Sequence, residues 1–325
     1  MNAAPPARPR LSIVATLYRS SPYVETFHAR ASAAARARVG EDFEIVLVND
    51  GSPDDSVERA RRLAEADPHV VVVDLSRNFG HHAAMLAGLA HAAGEQVFLI
   101  DSDLEESPEW LETFARELDA HRADVVFGVQ GRRRGGAFER ASGALFYRVF
   151  RAMTGVAQPD NIVTARLMTR RYVDALLSFP ERELNIGGLW VSTGFVQRSC
   201  VVEKASTSPT TYTLARKLSH LVNAVTSFSS QPLVFTFYAG LAISATALMF
   251  ILSLVFRYFF VSSPPDGYTS IVASIWLFSG LIIFFMGVQG IYVAKVFSEV
   301  KRRPRVIVRE VFRATAPPTA PGPDR

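Results

Sequence analysis

A chain of 325 residues can bury one or two sizeable cores, and this one, 49% hydrophobic with a mean hydropathy of +0.15, is oily for a soluble protein. Its 35 basic and 31 acidic residues leave a formal charge of +4. The basic residues concentrate beside two uncharged runs, so the excess reads as attraction to anionic lipid, and nucleic acid is not an expected partner. The one cysteine, Cys200, excludes an intramolecular disulfide and a cysteine metal site.

Residues 1–9 read as a flexible N-terminus with no apolar run, so no cleavable signal is expected. Residues 10–210 alternate strand and helix patterns in the α/β manner. "LSIVATLY" (11–18) predicts a strand, and 21–39 a helix capped by Ser21 with Pro22 in its first turn. A strand at 43–50 ("FEIVLVND"), a helix at 54–67, a strand at 70–76 ("VVVVDLS") and a helix at 81–93 follow. "QVFLID" (96–101) is the fourth strand, and 107–121 its helix, with Ser107 as cap and Pro108 at the first position. "ADVVFGVQ" (123–130) is a fifth strand. Near-continuous Val, Ile and Leu strands imply burial on both faces, as in a mostly parallel, Rossmann-like sheet flanked by helices. Such sheets bind ligands beyond the carboxyl ends of their strands, where Asp50, Asn78, Asp101 and Asp103 fall.

Between 211 and 231, Leu214, Leu218, Leu221, Val222 and Val225 share one helical face, which suits amphipathic helices at a membrane surface. Leu233–Phe256 and Thr269–Ala294 carry no charge, and each exceeds the roughly 20 residues that cross a bilayer as helix. Two spans are therefore expected, at about 233–257 and 270–294 within 232–297. Arg216 and Lys217 precede them, and Lys295, Lys301, Arg302, Arg303, Arg305, Arg309 and Arg313 follow. Positive residues mark the cytoplasmic side, so residues 10–210 and both termini are expected in the cytosol, with the Ser262–Gly267 turn outside. Residues 298–325 read as a basic, Pro-rich cytosolic tail.

The stretch "QVFLIDSDLEESPEW" ends a buried strand in a knot of like charge. Asp101 and Asp103, one residue apart, can converge on an oxygen-loving cation such as Mg²⁺ or Mn²⁺, with Glu105 as a third oxygen donor. The other reading of these acids is a solvated loop, or stabilisation of the next helix's N-terminus. No G-x-G-x-x-G or G-x-x-x-x-G-K-[ST] opens a helix, so a metal-bridged diphosphate is the best use of the site. His81 and His82 suit helix-start packing or donor contact better than catalysis.

"EIVLVNDGSPDDS", "VVVDLSRNFGHHAAMLAGLAHAAGEQVFLIDSDLEESPE", "SGALFYRVF", "SFPER" and "TYTLARKLSHLVNAVTSFSSQPL" resemble family-two glycosyltransferases of the GT-A fold. More narrowly, they are similar to polyprenyl-phosphate glycosyltransferases, bacterial relatives of dolichol-phosphate mannose synthase. The resemblance implies a membrane-anchored inverting enzyme on the cytoplasmic membrane that moves a sugar from a UDP-linked donor to undecaprenyl phosphate, for cell-envelope glycans. It also implies a homotetramer. Asp50 falls where such enzymes contact uracil, with Asn49 in place of the usual first Asp. Thr16 and Tyr18, Asn78, Asp101 and Ser102 complete the expected nucleotide-sugar set, although "ATLYRSS" replaces the Pro and Asn-Glu common in relatives. Asp101, Asp103 and Glu105 are the expected metal ligands, with Glu105 where relatives have Gln. Arg132, Arg133 and Arg140 are expected at acceptor phosphate, joined by Lys204, since Thr211 stands where relatives place a Lys. Asp101, Asp103 and Arg140 are the catalytic set; Asp160 is a rough counterpart of a relatives' Asp, and "NIGGLW" (185–190) replaces their Arg-Gly pair. Two other functions fit the same residues: transfer to a lipid-linked saccharide hydroxyl, or a non-catalytic membrane-anchored nucleotide-sugar-binding subunit. A processive synthase is disfavoured, because its Q-x-x-R-W signature is missing and two short-looped spans cannot easily enclose a channel.

Overall fold

The strands form where the aliphatic runs predict them. In a computed structural model, which describes residues 8–131, 161–179, 186–205, 226, 229–260 and 267–314, β1 (Leu11–Leu17), β2 (Phe43–Asn49) and β3 (Val70–Leu75) are buried along their whole length. The remaining strands are β4 (Gln96–Asp101), β5 (Val125–Gln130), β6 (Ile162–Thr169), β7 (Gln197–Val202) and β8 (Val308–Arg313). They make one sheet in the order β7-β5-β6-β4-β1-β2-β3-β8. Pairings among β1, β2, β3 and β4 are parallel, as is β5 with β7, whereas β6 runs antiparallel to both its neighbours and β8 to β3.

Strand alternation divides the core into two layers. Leu11, Ile13, Ala15 and Leu17 face one side, where α1 (Val24–Val39), α2 (Ser56–Ala66) and α4 (Trp110–His121) pack through Phe27, Ala60 and Phe114. Val14, Val46 and Val48 face the other, against α3 (His81–His91), α5 (Arg170–Leu177) and α6 (Ile186–Ser192). At Gly88 a Cβ would lie 2.4 Å from Val14 Cγ1, so α3 sits directly on the sheet.

Two caps differ from expectation. The α1 helix starts at Val24 without a side-chain cap, because the Ser21 hydroxyl donates to Asp55 and its amide to Asp54. Likewise α4 starts at Trp110, and the Ser107 hydroxyl donates to Glu109.

The C-terminal region departs further. Residues 308–313, expected within a basic tail, form β8 at the sheet edge. Arginines that read as membrane-facing charge hide this strand in the sequence; in the fold Arg309 pairs with buried Asp74 and Arg313 sits in register with Val71. The register shifts between Asp74 and Leu75, and Val308 and Phe312 pack against opposite core layers.

The described residues fall into two compact units, and the second comprises residues 226–302 within the chain's apolar region. It contains α7 (Gln231–Phe260) and α8 (Tyr268–Val300). The Tyr292 hydroxyl donates to the Ser229 carbonyl at 2.6 Å, tying the late part of α8 to the start of α7. Among the described residues, Ser274–Val300 is the helical segment long and apolar enough to cross a membrane, with mean hydropathy 1.9 and none of its length buried. On α7, Gln231–Ile243 is a shorter apolar stretch. Residues 211–225, expected as amphipathic helix, lie outside the described residues.

Candidate functional site

Parallel pairing brings the carboxyl ends of β1 to β4 to one edge. Thr16 stands in register with Asp101 and Leu17 with Asn49, so loops far apart in sequence meet there. A pocket of about 160 Å³ opens at this edge, lined by Thr16, Tyr18, Asp50, Asn78, Gly80 and His81.

Asp50 is buried and grips the opposite loop: its carboxylate accepts the Phe79 amide at 2.7 Å and the Gly80 amide at 3.1 Å. Burial raises its pKa, and those two hydrogen bonds, with His81 and Arg77, oppose the rise. The turn after Asp50 can approach this closely only with glycine. Gly51 has φ +59°, and a Cβ there would lie 2.4 Å from the Arg77 carbonyl carbon and Asn78 nitrogen.

His81 joins the pocket to the acidic loop. Its Nδ1 lies 3.1 Å from Thr16 Oγ1 and its Nε2 lies 3.3 Å from Asp101 Oδ1. Burial alone would lower the His81 pKa, but the facing Asp101 carboxylate and the fields of Glu106 and Asp50 raise it. Burial likewise opposes ionisation of Asp101, yet His81 and Lys204 hold its carboxyl below the usual carboxylate range. Buried Asp101 Oδ1 faces His81 Nε2 as an ion pair whose geometry is too poor for a well-formed hydrogen bond.

The loop itself turns sharply. Asp103 Oδ1 accepts the Glu105 amide at 3.0 Å and Leu104 takes φ +61°, a strained value for a non-glycine residue. This reversal sends consecutive glutamates to different places. Glu105 reaches Lys204 Nζ at 3.4 Å, whereas Glu106 is fully buried, accepting the Thr164 amide at 3.0 Å and the Asp101 amide at 3.5 Å. Burial, reinforced by Asp101, pushes Glu106 up to about 7. Burial also raises Asp103, with Asp101 and Glu105 adding repulsion. Lys204 lies 3.5 Å from Glu106 as well, and the four carboxylates raise its pKa against the effect of burial.

Of the residues expected at a nucleotide sugar, Thr16, Tyr18, Asp50 and Asn78 line the pocket and Asp101 adjoins it through His81. Asn49 and Ser102 stand behind it. Asn49 donates to Asp74 at 2.7 Å and accepts the Ser52 amide at 3.1 Å; Ser102 donates to the Thr16 carbonyl at 2.7 Å. Three metal-binding carboxylates do not converge: among the described residues no group of three or more His, Cys, Asp or Glu side chains could hold an ion, and Glu105 is paired with Lys204. That pairing places Lys204 in the acidic loop. Arg132, Arg133, Arg140 and Asp160 lie outside the described residues. Sequence reasoning missed Glu106, which nothing in "DLEES" distinguishes from Glu105, and Arg166, a fully buried cation stacked on Trp190 and driven down to about 9 by burial.

The sequence profile of glycosyl transferase family 2 matches residues 12–177. A Mycobacterium tuberculosis (strain CDC 1551 / Oshkosh) protein named only by class, as a glycosyltransferase, is 48% identical over 303 residues, covering 93% of this chain and 88% of its own. The undecaprenyl-phosphate 4-deoxy-4-formamido-L-arabinose transferase of Pseudomonas paraeruginosa is 33% identical over 318 residues, 96% of this chain and 92% of its own. Among solved structures, glucosyl-3-phosphoglycerate synthase from Mycobacterium tuberculosis with Mn²⁺, UDP and glucosyl-3-phosphoglycerate aligns at 18% identity with a TM-score of 0.48, over 68% of this chain and 80% of that one. The profile spans half the chain and the relatives nearly all of it, so this α/β protein, with its mostly parallel GT-A-like sheet, is a glycosyltransferase belonging to glycosyl transferase family 2.

Proposed function

We propose that the enzyme transfers a sugar from a UDP-linked donor to undecaprenyl phosphate at the cytoplasmic face of a membrane, with inversion at the anomeric carbon. One observation carries the reading: the pocket holding Asp50 and Asn78 is joined through His81 to Asp101, a carboxylate crowded by the neighbouring acids Asp103 and Glu106. A nucleoside fits the pocket side and a diphosphate the acidic side. The relative that acts on undecaprenyl phosphate, alignable over 96% of this chain, supports the acceptor.

An acceptor-only oxygen beside a second carboxylate is the donor set of a hard divalent cation, Mg²⁺ or Mn²⁺. Asp101 and Asp103 would hold it, and the remaining ligands would come from donor phosphate and water, since among the described residues no group of three or more such side chains could hold an ion. When bound, the ion neutralises the departing nucleotide diphosphate as a Lewis acid. Lys204 would hold negative charge beside it, and the arginines at 132, 133 and 140 are proposed to orient the attacking lipid phosphate. A phosphate monoester, with its second pKa near ~6, is mostly dianionic at neutral pH and attacks without a strong base. Orienting both reactants can supply up to ~7–11 kcal/mol of barrier lowering.

Glu106 bears on the competing acceptor, a saccharide hydroxyl, which needs a general base. Its pKa of about 7 suits that task, but its carboxyl is fully buried and both oxygens receive backbone amides. It is not presented to an acceptor. Both α7 and α8 are proposed to span the membrane: at 30 and 33 residues each exceeds the roughly 20 required. The test is incubation of membranes with a panel of radiolabelled nucleotide sugars, adding either undecaprenyl phosphate or a lipid-linked saccharide. Label entering the organic phase only with the phosphate is expected; label entering only with the saccharide overturns the acceptor assignment.

A further inference from the structure

Asp74 is a fully buried carboxylate at the end of β3, outside the pocket, and its three partners form a chain toward it. Its Oδ1 accepts Asn49 Nδ2 at 2.7 Å, and its Oδ2 accepts Arg309 Nη1 at 3.1 Å with Arg61 Nη2 3.6 Å away. A buried carboxylate without a counter-charge is strongly disfavoured, so these cations are needed where they stand. Both depend on β8. Arg309 belongs to it, and Arg61 stacks 3.9 Å from the ring of Phe312.

The carboxylate then fixes the Asn49 amide. With Nδ2 committed to Asp74, Oδ1 is left to accept the Ser52 amide at 3.1 Å, because a flipped amide would set oxygen against oxygen. That bond closes the turn carrying Asp50, which in turn grips the Phe79 and Gly80 amides. The same arginine roots the second loop directly: Arg309 Nη2 donates to the Ser76 carbonyl at 2.8 Å, and the Ser76 amide donates to the Ile307 carbonyl at 2.9 Å. Both loops that supply Asp50, Asn78, Gly80 and His81 are thus anchored on a strand lying beyond the family profile, which ends at residue 177.

We infer that β8 completes the nucleotide pocket and that Arg309 is a positioning residue for donor binding, acting through Asp74 and Asn49 on the Asp50 turn and through Ser76 on the Asn78 loop. The inference rests on the reading of this pocket as the nucleotide site. It is tested on the full chain by titrating UDP in the presence of Mn²⁺ and by steady-state kinetics in donor and acceptor. Arg309→Ala is expected to raise the UDP Kd and the donor KM on the order of tenfold, with kcat and acceptor KM within about twofold, the pattern of lost uniform binding. Arg309→Lys keeps a cation on Asp74 but loses the second arm to Ser76; a Kd raised roughly threefold is expected, and this variant carries the test should the alanine variant fail to fold. A variant with reduced Tm but wild-type Kd and donor KM overturns the inference, since Arg309 would then serve stability alone. If the wild type itself binds no UDP, it is the nucleotide reading that falls, and the inference with it.

Discussion

The loops after β2 and β4 both end buried strands in aspartates at the same edge of the sheet, yet the protein treats their charge in opposite ways. After β2 the carboxylates are solvated by the chain. Asp54 accepts the Ser52 and Ser56 hydroxyls at 2.5 Å each, and the Ser21 amide at 3.1 Å. Burial works against ionisation there, but these donors outweigh it and hold Asp54 at about 2. After β4 the carboxylates crowd one another: Asp103 and Glu106 are raised by burial and by Asp101, and Lys204 is the nearby counter-charge. What separates the scaffold from the site is therefore how the charge is met, not the sign of every shift. Asp50 after β2 is raised by burial but held by two backbone amides, and Asp101 after β4 is lowered by His81 despite burial, while Asp103 and Glu106 stay crowded by like charge.

The strongest way to break the comparison is to remove that crowded charge. Asp101→Asn and Asp103→Asn are each expected to reduce glycolipid formation by about 10²–10³-fold or more, the scale of losing one transition-state charge stabiliser, while Tm stays near that of the wild type. Excess EDTA should do the same, reversed by Mn²⁺ or Mg²⁺. Wild-type rates in both variants and in EDTA would remove the metal from the proposal.

The scaffold loop should answer differently, in binding and stability rather than in turnover alone. Asp50→Ala leaves the Phe79 and Gly80 amides without their acceptor. At about 1–3 kcal/mol for each unsatisfied partly buried donor, a loss of about 2–6 kcal/mol is expected in denaturant unfolding, with weaker UDP binding as the loop relaxes. Asp50→Asn, which keeps one acceptor oxygen, should fall between. If Asp50→Ala unfolds like the wild type yet loses UDP affinity, the residue contacts the base and the pinning of the loop is secondary.

How far the sequence revealed this division depends on the period of the signal. Val70–Leu75 and Leu11–Leu17 announce buried parallel strands on their own, since continuous aliphatic runs have few other uses, and the acidic end of β4 stands out against them. What lies between neighbouring loops does not show. Glu105 and Glu106 are the same residue type one position apart and both reach Lys204, yet after the left-handed Leu104 only Glu106 is fully buried. His81 reads as a helix start until parallel pairing sets Thr16 beside Asp101 and the ring between them. The β8 strand, with "VREVFR" so rich in charge, has no aliphatic period, and it is a strand because Asp74 and the edge of β3 need partners.

The smallest effect sharpens the scaffold side. Asp54 precedes α2 and takes the Ser56 amide at 3.2 Å as well as the hydroxyls, so Asp54→Ala should cost about 1–2 kcal/mol, as capping losses do, and leave the acidic loop untouched. The sign with pH follows from its depressed pKa. An aspartate ionising at about 2 in the folded chain, against 3.8 as its ordinary value, contributes stability that is complete above about pH 4 and is lost as pH falls through about 2. Below that window folded and unfolded chains are protonated alike at this position. Urea unfolding at pH 5 and at pH 2.5 should therefore show wild type and Asp54→Ala converging in acid. A gap that stays constant across the two conditions would mean that the Asp54 hydrogen bonds do not depend on its charge, and the contrast between the two loops would lose its electrostatic basis.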